Sequence, residues 1–167
     1  MQLFVVIFCR GCMSIELGQK VKDFTFNATN GVSGKLSDYL GKEVVLYFYP
    51  KDATPGCTTQ GQELRDNFAQ YEKRDVVIFG ISRDSLNSHE KFKEKQNFPF
   101  ELISDSDEQL CQLFAVMKEK SMFGKKYMGI ERSTFVIDKE GALCAEYRKV
   151  KVKDHIKWLH DVLAIEA

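Results

Sequence analysis

Three separate runs of apolar residues constrain the fold of this chain more than any other feature. They lie within Glu43–Tyr49 (VVLYFY), Val76–Ser82 (VVIFGIS) and Ser133–Asp138 (STFVID). Short runs that are rich in Val, Ile and aromatic residues are typical of strands buried on both faces. Apolar residues that mostly recur at helical spacing predict helices between and after these strands, at Cys57–Arg74, Ser88–Gln96, Asp107–Val116 and Asp154–Ile165. The alternation predicts an α/β fold with a central sheet.

The last third of the chain predicts a hairpin. Lys139–Gly141 has the composition of a tight turn, and Leu143–Val152 is expected to return beside the strand that precedes it. An antiparallel hairpin joined to strands that alternate with helices makes the sheet mixed. The length of 167 residues suits one domain. We assign that domain to residues 13–167 and treat residues 1–12 as an extension outside it, because Met13 opens a stretch that reads like a protein start.

Composition narrows the classes of partner. The chain has 24 Lys and Arg against 24 Asp and Glu, so its net charge is zero, and we expect it to bind neither nucleic acid nor membranes. No apolar run approaches the ~20 residues of a membrane span. Five cysteines, an odd number, favour a reducing compartment and a cytoplasmic location. The three histidines, His89, His155 and His160, show no metal spacing with a carboxylate pair, so we expect them to be exposed and expect no metal or other cofactor.

A single thiol stands where a helix is predicted to begin. Thr54 suits the N-cap and Pro55 the first helical position, which makes Cys57 the third residue of the helix. The unpaired amides and the positive end of the dipole at that place stabilise a thiolate. Gly56 leaves room for another molecule near the backbone. The alternative is a buried packing cysteine, which is more common for such a short pattern alone.

The wider string around Cys57 resembles a known family. PKDATPGC, at Pro50–Cys57, matches the Pro-x-x-x-Thr-x-x-Cys signature of peroxiredoxins, and its surroundings are similar to the bacterioferritin-comigratory, or peroxiredoxin Q, branch. The resemblance covers nearly everything from Met13 onward and includes the strings GISRDS, FELISD and FGKKYMGIERSTFVIDKEG. It implies a thioredoxin-like fold, with a central mixed β-sheet flanked by helices. It also implies cofactor-free reduction of hydrogen peroxide and organic hydroperoxides.

The resemblance also assigns roles to four residues. Cys57 would be the peroxidatic cysteine, which the peroxide oxidises to a sulfenic acid that a thiol then reduces. Thr54 would hold the peroxide through its hydroxyl, and Pro50 would shield the thiolate from water. Arg132 would face the thiolate from a later strand, although a surface ion pair with Glu131 is an alternative for its side chain.

The chain departs from the family in the second half of the reaction cycle. Gln62 stands where many members carry a resolving cysteine, the helical region 87–97 holds none, and Gln60 replaces a usual glutamate. Cys111 is the remaining candidate, but its apolar neighbours favour packing, and Cys144 is expected on the hairpin strand far from the site. An external thiol is therefore expected: thioredoxin, glutaredoxin, glutathione or another copy of the chain.

Two other functions remain open on the sequence. A redox sensor or chaperone could use the thiol of Cys57 without turnover, and Cys9 with Cys12 forms a C-x-x-C pair that superficially suggests a dithiol–disulfide oxidoreductase. That pair lacks the long helix that follows it in thioredoxins, and we interpret it as incidental. We expect a monomer or a weak homodimer.

Overall fold

The fold is described by a computed structural model for residues 14–166. The predicted extension at residues 1–12, with Cys9 and Cys12, lies outside the described residues. Across residues 14–166, every helix is too short or too polar to cross a membrane.

Short strands alternate with helices along the described chain. The strands are β1 (Thr25–Asn27), β2 (Ser33–Lys35), β3 (Val44–Phe48), β4 (Val77–Ser82), β5 (Glu101–Ser104), β6 (Met117–Met122), β7 (Lys125–Ile130), β8 (Ser133–Ile137) and β9 (Leu143–Arg148). The helices are α1 (Pro55–Asp66), α2 (Phe68–Lys73), α3 (Leu86–Gln96), α4 (Gln109–Leu113) and α5 (Val152–Leu163). Two 3₁₀ turns, Thr29–Gly31 and Leu36–Tyr39, flank β2.

Five strands form a central mixed sheet in the order β5-β4-β3-β8-β9. β3, β4 and β5 are parallel, whereas β8 runs antiparallel to both β3 and β9. This arrangement confirms the predicted α/β fold and the mixed sheet. The predicted hairpin is present as β8 and β9. The pairs β1–β2 and β6–β7 form separate two-stranded hairpins.

The two faces of the sheet bury separate cores, and β3 contributes to both. Its alternating side chains Val44, Leu46 and Phe48 pack in one core with Phe114 of the α4 region. Val45, Tyr47 and Tyr49 pack in the other core, with α1, α2, α3 and α5. Because every residue of β3 is buried, the strand reads as a continuous apolar run rather than an alternating one.

Several predicted boundaries were wrong for local backbone reasons. The helix predicted at Cys57–Arg74 is divided at Asn67, whose side chain donates to the Glu63 carbonyl oxygen at 2.8 Å. The helix predicted at Asp107–Val116 is shorter, because left-handed residues flank α4 on both sides. The strand predicted at Leu143–Val152 ends at Arg148, since left-handed Lys149 terminates β9 before α5 begins at Val152.

Candidate active site

Cys57 lies at the junction between β3, the central strand of the sheet, and α1, the first helix. β3 ends at Phe48, a loop follows, and α1 begins at Pro55 with Thr54 in extended conformation at the N-cap. The predicted helix start is therefore confirmed. Cys57 is the third residue of α1 and only 2% exposed, so it is both at the positive end of the helix dipole and sheltered from solvent.

The Thr54 hydroxyl makes no capping hydrogen bond to α1, although Thr54 is the N-cap residue of that helix. It donates instead to the Lys51 carbonyl oxygen at 2.8 Å, within the loop. A hydroxyl has one donor and two acceptor sites, so this bond uses the proton and leaves the oxygen lone pairs available. The Thr54 oxygen therefore remains able to accept a further hydrogen bond.

Arg132 is the charged side chain that faces the thiol. It lies between β7 and β8, and its Nη2 donates to Cys57 Sγ at 3.5 Å. Its Nη1 donates to Gln60 Oε1 at 2.6 Å. The guanidinium therefore points toward the thiol and Gln60, and it does not turn to Glu131. A Cβ at Gly56 would stand 3.2 Å from Nη2, which explains why a residue without a side chain precedes Cys57.

A groove between the β3–α1 loop and the β6–β7 hairpin leads to this site. Pro50 and Thr54 line one side, and Lys120, Tyr127 and Ile130 are among the residues on the other. Burial lowers the pKa of Lys120 and the Arg132 charge lowers it further, whereas the thiolate of Cys57 acts in the opposite direction. The lining of the groove therefore combines apolar and cationic side chains.

The other described cysteines lie away from Cys57. Cys111 is fully buried in the core on the opposite face of the sheet. Cys144 is exposed on β9, where its thiol donates to the Val136 carbonyl oxygen at 3.3 Å. All three cysteines in residues 14–166 are free thiols.

Gln62 occupies the position at which the family resemblance places a resolving cysteine. Its Nε2 donates to Gln96 Oε1 at 2.9 Å, which ties α1 to the end of α3. One residue earlier, a Cβ at Gly61 would stand only 2.3 Å from the Phe98 ring. The first turns of α1 are thus packed closely against the α3 region.

The prediction that the three histidines are exposed was wrong. His89 and His155 are fully buried, and His160 is partly buried with Nε2 3.1 Å from the Tyr71 hydroxyl. The sequence did contain a signal, because His155 precedes Leu159 by four residues and therefore lies on the buried face of α5. A histidine within an apolar stripe should have been predicted as buried.

His89 also lies near two carboxylates that the sequence did not connect with it. Ligand atoms of Asp52, Asp84 and His89 lie within 4.8 Å of one another. His89 Nδ1 is 2.7 Å from Asp52, and its Nε2 is 3.0 Å from the Ile103 carbonyl oxygen, so both ring nitrogens have protein partners. Asp84 accepts from the Asp52 amide and from Ser82. The cluster is a hydrogen-bonded network that fixes the loop before Thr54.

Comparison with known proteins agrees with this geometry. The sequence profile of the AhpC/TSA family matches residues 17–145. Peroxiredoxin Bcp of Bacillus subtilis is 56% identical over 144 residues, covering 86% of this chain and 92% of the relative. Peroxiredoxin Bcp of Xanthomonas campestris is 45% identical over 141 residues, covering 84% of this chain and 88% of the relative.

Two solved structures have the same fold. The Xylella fastidiosa peroxiredoxin Q, solved as a cysteine-to-serine mutant, superposes with a TM-score of 0.86 at 38% identity, covering 91% of this chain and 97% of that one. The Xanthomonas campestris bacterioferritin comigratory protein, studied for its alkyl peroxide reduction activity, superposes with a TM-score of 0.79 at 44% identity, covering 84% and 90%. The predicted thioredoxin-like fold and the predicted family are both confirmed. This chain belongs to the AhpC/TSA family of thiol-dependent peroxidases and, within it, to the peroxiredoxins of the Bcp or peroxiredoxin Q type.

Proposed function

We propose that Cys57 is the peroxidatic cysteine of this peroxidase and that Arg132, Thr54 and Pro50 complete its active site. The observation that carries the proposal is the approach of Arg132 Nη2 to Cys57 Sγ at 3.5 Å, at the start of a helix. A sheltered thiol beside a fixed positive charge is the environment that activates a cysteine nucleophile. Pro50 stands at the edge of the groove and limits the access of water.

The chemistry follows from these positions. The Cys57 thiolate attacks the terminal oxygen of the hydroperoxide, an S–O bond forms and the O–O bond breaks. The sulfur is oxidised to a sulfenic acid, and the departing oxygen takes a proton and leaves as water or an alcohol. Arg132 stabilises the charge that develops on the departing oxygen. Thr54 accepts a hydrogen bond from the peroxide through the lone pairs that its own bond to Lys51 leaves available.

The groove supports both hydrogen peroxide and organic hydroperoxides as substrates. Tyr127 offers apolar surface in the groove that Thr54 also lines, and Met122 and Phe123 are exposed at the end of the hairpin. The related Xanthomonas campestris protein was studied for its alkyl peroxide reduction activity. An alkyl group on the peroxide would contact this surface while its oxygens meet Cys57.

We further propose that an external thiol reduces the sulfenic acid. A disulfide requires Cα atoms within about 7 Å, but Cys111 lies behind the sheet and Cys144 lies on β9. The hydrogen bond between Gln62 and Gln96 holds α1 against the end of α3, so we expect α1 to stay folded after oxidation. Thioredoxin, glutaredoxin and glutathione are the candidate reductants. The odd number of cysteines in the sequence favours a reducing compartment such as the cytoplasm.

Intact-mass spectrometry after one equivalent of peroxide, without reductant, tests this proposal. We expect the gain of one oxygen that dimedone traps at Cys57, and we expect excess peroxide to add a second oxygen. Loss of two hydrogens, mapped to a bridge between Cys57 and another cysteine of the same chain, would contradict the external reductant. Turnover with thioredoxin and with glutaredoxin, supplied separately, identifies the reductant. Oxidation of Cys57 without turnover in either case would favour a redox sensor.

A further inference from the structure

A chain of buried hydrogen bonds extends from the active site to the last helix. Gln60 Oε1 accepts a hydrogen bond from Arg132, and Gln60 Nε2 lies 3.3 Å from His155 Nδ1 on α5. On the far side of the imidazole, Nε2 lies 2.9 Å from Thr134 Oγ1 on β8. Gln60, Thr134 and His155 are all fully buried. This series of hydrogen bonds therefore joins α1, β8 and α5 behind the thiol, out of contact with solvent.

The chemistry of the donors fixes the direction of every bond in this chain. A guanidinium only donates, so the atom of Gln60 that faces Arg132 must be the amide oxygen. The amide nitrogen of Gln60 then donates to His155 Nδ1, which must be unprotonated. The ring proton consequently lies on Nε2, which donates to Thr134 Oγ1. The imidazole is a neutral Nε2–H tautomer, consistent with a pKa that burial and the Arg132 charge lower to about 4.

Arg132 selects the oxygen end of the Gln60 amide, and His155 Nδ1 supplies the acceptor that the amide nitrogen at the other end requires. If the amide turned over, its NH₂ group would face the Arg132 guanidinium, and its oxygen would face the lone pair of His155 Nδ1. The contact with Arg132 would then be repulsive, and the contact with His155 would also be repulsive unless the ring proton moved from Nε2 to Nδ1. With the observed orientation, Gln60 holds Nη1 at 2.6 Å while Nη2 reaches Cys57 Sγ at 3.5 Å.

We propose that His155 is a positioning residue for the peroxidase reaction, which acts through Gln60 to keep the Arg132 guanidinium directed at Cys57. The proposal rests on the proposed roles of Cys57 and Arg132. The hydrogen-bond partners of His155 are Gln60 and Thr134, not Cys57. Its effect is to lock a neutral amide that in turn anchors the catalytic cation.

A purely structural role for His155 makes a different prediction. The imidazole stacks on Trp158, with ring centroids 6.5 Å apart and planes 14° apart, and it lies near Tyr47. If packing were its whole role, replacing it would lower stability but leave the reactivity of folded molecules unchanged. The reaction rate of Cys57 and its pH dependence separate the two roles.

The first experiment measures single-turnover oxidation of Cys57 by hydrogen peroxide, using stopped flow between pH 5 and pH 9. We expect Cys57 in His155→Leu to react on the order of 10-fold more slowly, which is part of the roughly 10²-fold effect of losing a stabilising donor outright. The midpoint of the rate-against-pH profile should also move upward. His155→Asn retains an acceptor at the δ position and should recover most of the rate. His160→Leu, a matched control on the same helix, should leave the rate and midpoint unchanged.

A double-mutant cycle shows whether His155 acts through Arg132. In an Arg132→Ala background, His155→Leu should have no further effect on the rate, because the group that it positions is gone. An equal loss in both backgrounds, or an unchanged rate and midpoint in folded His155→Leu alone, overturns the proposal. If Arg132→Ala is also without effect, the proposed function of Arg132 fails instead, so the two failures are distinguishable.

The deciding result of a second measurement comes from the wild-type protein. The ¹⁵N shifts of His155 in the wild-type protein should be those of a neutral Nε2–H tautomer at pH 7. In Gln60→Glu the new carboxylate only accepts, so the ring should instead carry its proton on Nδ1 or become charged. A wild-type Nδ1–H tautomer would falsify the proposal, because Gln60 could not then donate to His155.

Discussion

Cys57 and Cys111 occupy equivalent positions in their helices, yet their surroundings differ in charge. Each is the third residue of a helix, α1 for Cys57 and α4 for Cys111, and each is at most 2% exposed. Cys57 faces the guanidinium of Arg132. Cys111 faces the carboxylate of Asp105, which accepts from the amides of Leu110 and Cys111.

The difference shows that a helix start alone does not make a nucleophile. Burial raises the pKa of the Cys111 thiol well above its usual range, and the hydrogen bond and charge of Asp105 raise it further. The same carboxylate occupies two of the amides that would otherwise support a thiolate. At Cys57 the nearest fixed charge is positive and the Thr54 hydroxyl turns away from the first turn of the helix. The charge opposite the sulfur therefore separates the reactive thiol from the packing thiol.

The largest effect that tests this comparison is the removal of each thiol in turn. Cys57→Ser should abolish peroxide consumption, because an alcohol at this site is too weak a nucleophile at neutral pH. Cys111→Ser should retain turnover, although its stability should fall because a buried hydroxyl replaces a thiol. Steady-state peroxide consumption with an added thiol reductant measures both. Turnover in Cys57→Ser, or its loss in well-folded Cys111→Ser, would reverse the assignment.

Removing the positive charge should have the next largest effect. Arg132→Ala should slow the first oxidation step by about 10²-fold, the typical effect of losing one charge-stabilising donor. Arg65→Ala on α1 removes a charge whose Nη1 binds the Gln96 carbonyl oxygen instead of the thiol, and it serves as the matched control. Stopped-flow fluorescence or dimedone trapping reports the rate. Equal rates for the two variants would remove the charge difference as the explanation.

A smaller effect concerns stability at acidic pH. The pKa of His155 is lowered from 6.5 to about 4 by burial and by Arg132, so the unfolded chain binds its proton before the folded chain does. The free energy of unfolding should therefore fall as pH drops through that window, by about 2 kcal/mol between pH 7 and pH 4.5 from this group. Burial raises the pKa of Asp105, which opposes this trend.

Urea titrations of wild type and His155→Asn at several pH values isolate the histidine contribution, because Asp105 is common to both. We expect the pH dependence of the variant to be flatter between pH 6.5 and pH 4. Parallel curves for the two proteins would mean that His155 titrates normally in the folded state.

The sequence predicted the parts of this molecule that depend on neighbours along the chain. The buried strands, the helix start at Thr54 and the string that holds Pro50 and Cys57 are all local patterns. The β6–β7 hairpin was not predicted, because most of its side chains are exposed and it lacks the apolar run of a buried strand.

The partners of the two thiols could not be predicted in the same way. Arg132 lies 75 residues from Cys57, and its position was available only from the family resemblance. His155 lies 95 residues from Gln60, and their contact depends on how α5 packs on α1. Charge patterns along the chain cannot show which side chain folds opposite a sulfur, because that depends on sheet order and on helix packing.

The burial of Cys111 gives the protein an internal reporter of its own opening. Its sulfur lies in one core while the chemistry takes place in the other, so a thiol reagent can reach it only when that core opens. In a Cys57→Ser, Cys144→Ser background, among the cysteines of residues 14–166 only Cys111 would remain to be labelled. The labelling rate in native buffer would then measure the population of open molecules, as hydrogen exchange does for amides. Labelling of Cys111 would thus report the opening of its core, whereas oxidation of Cys57 would report the proposed reaction with peroxide.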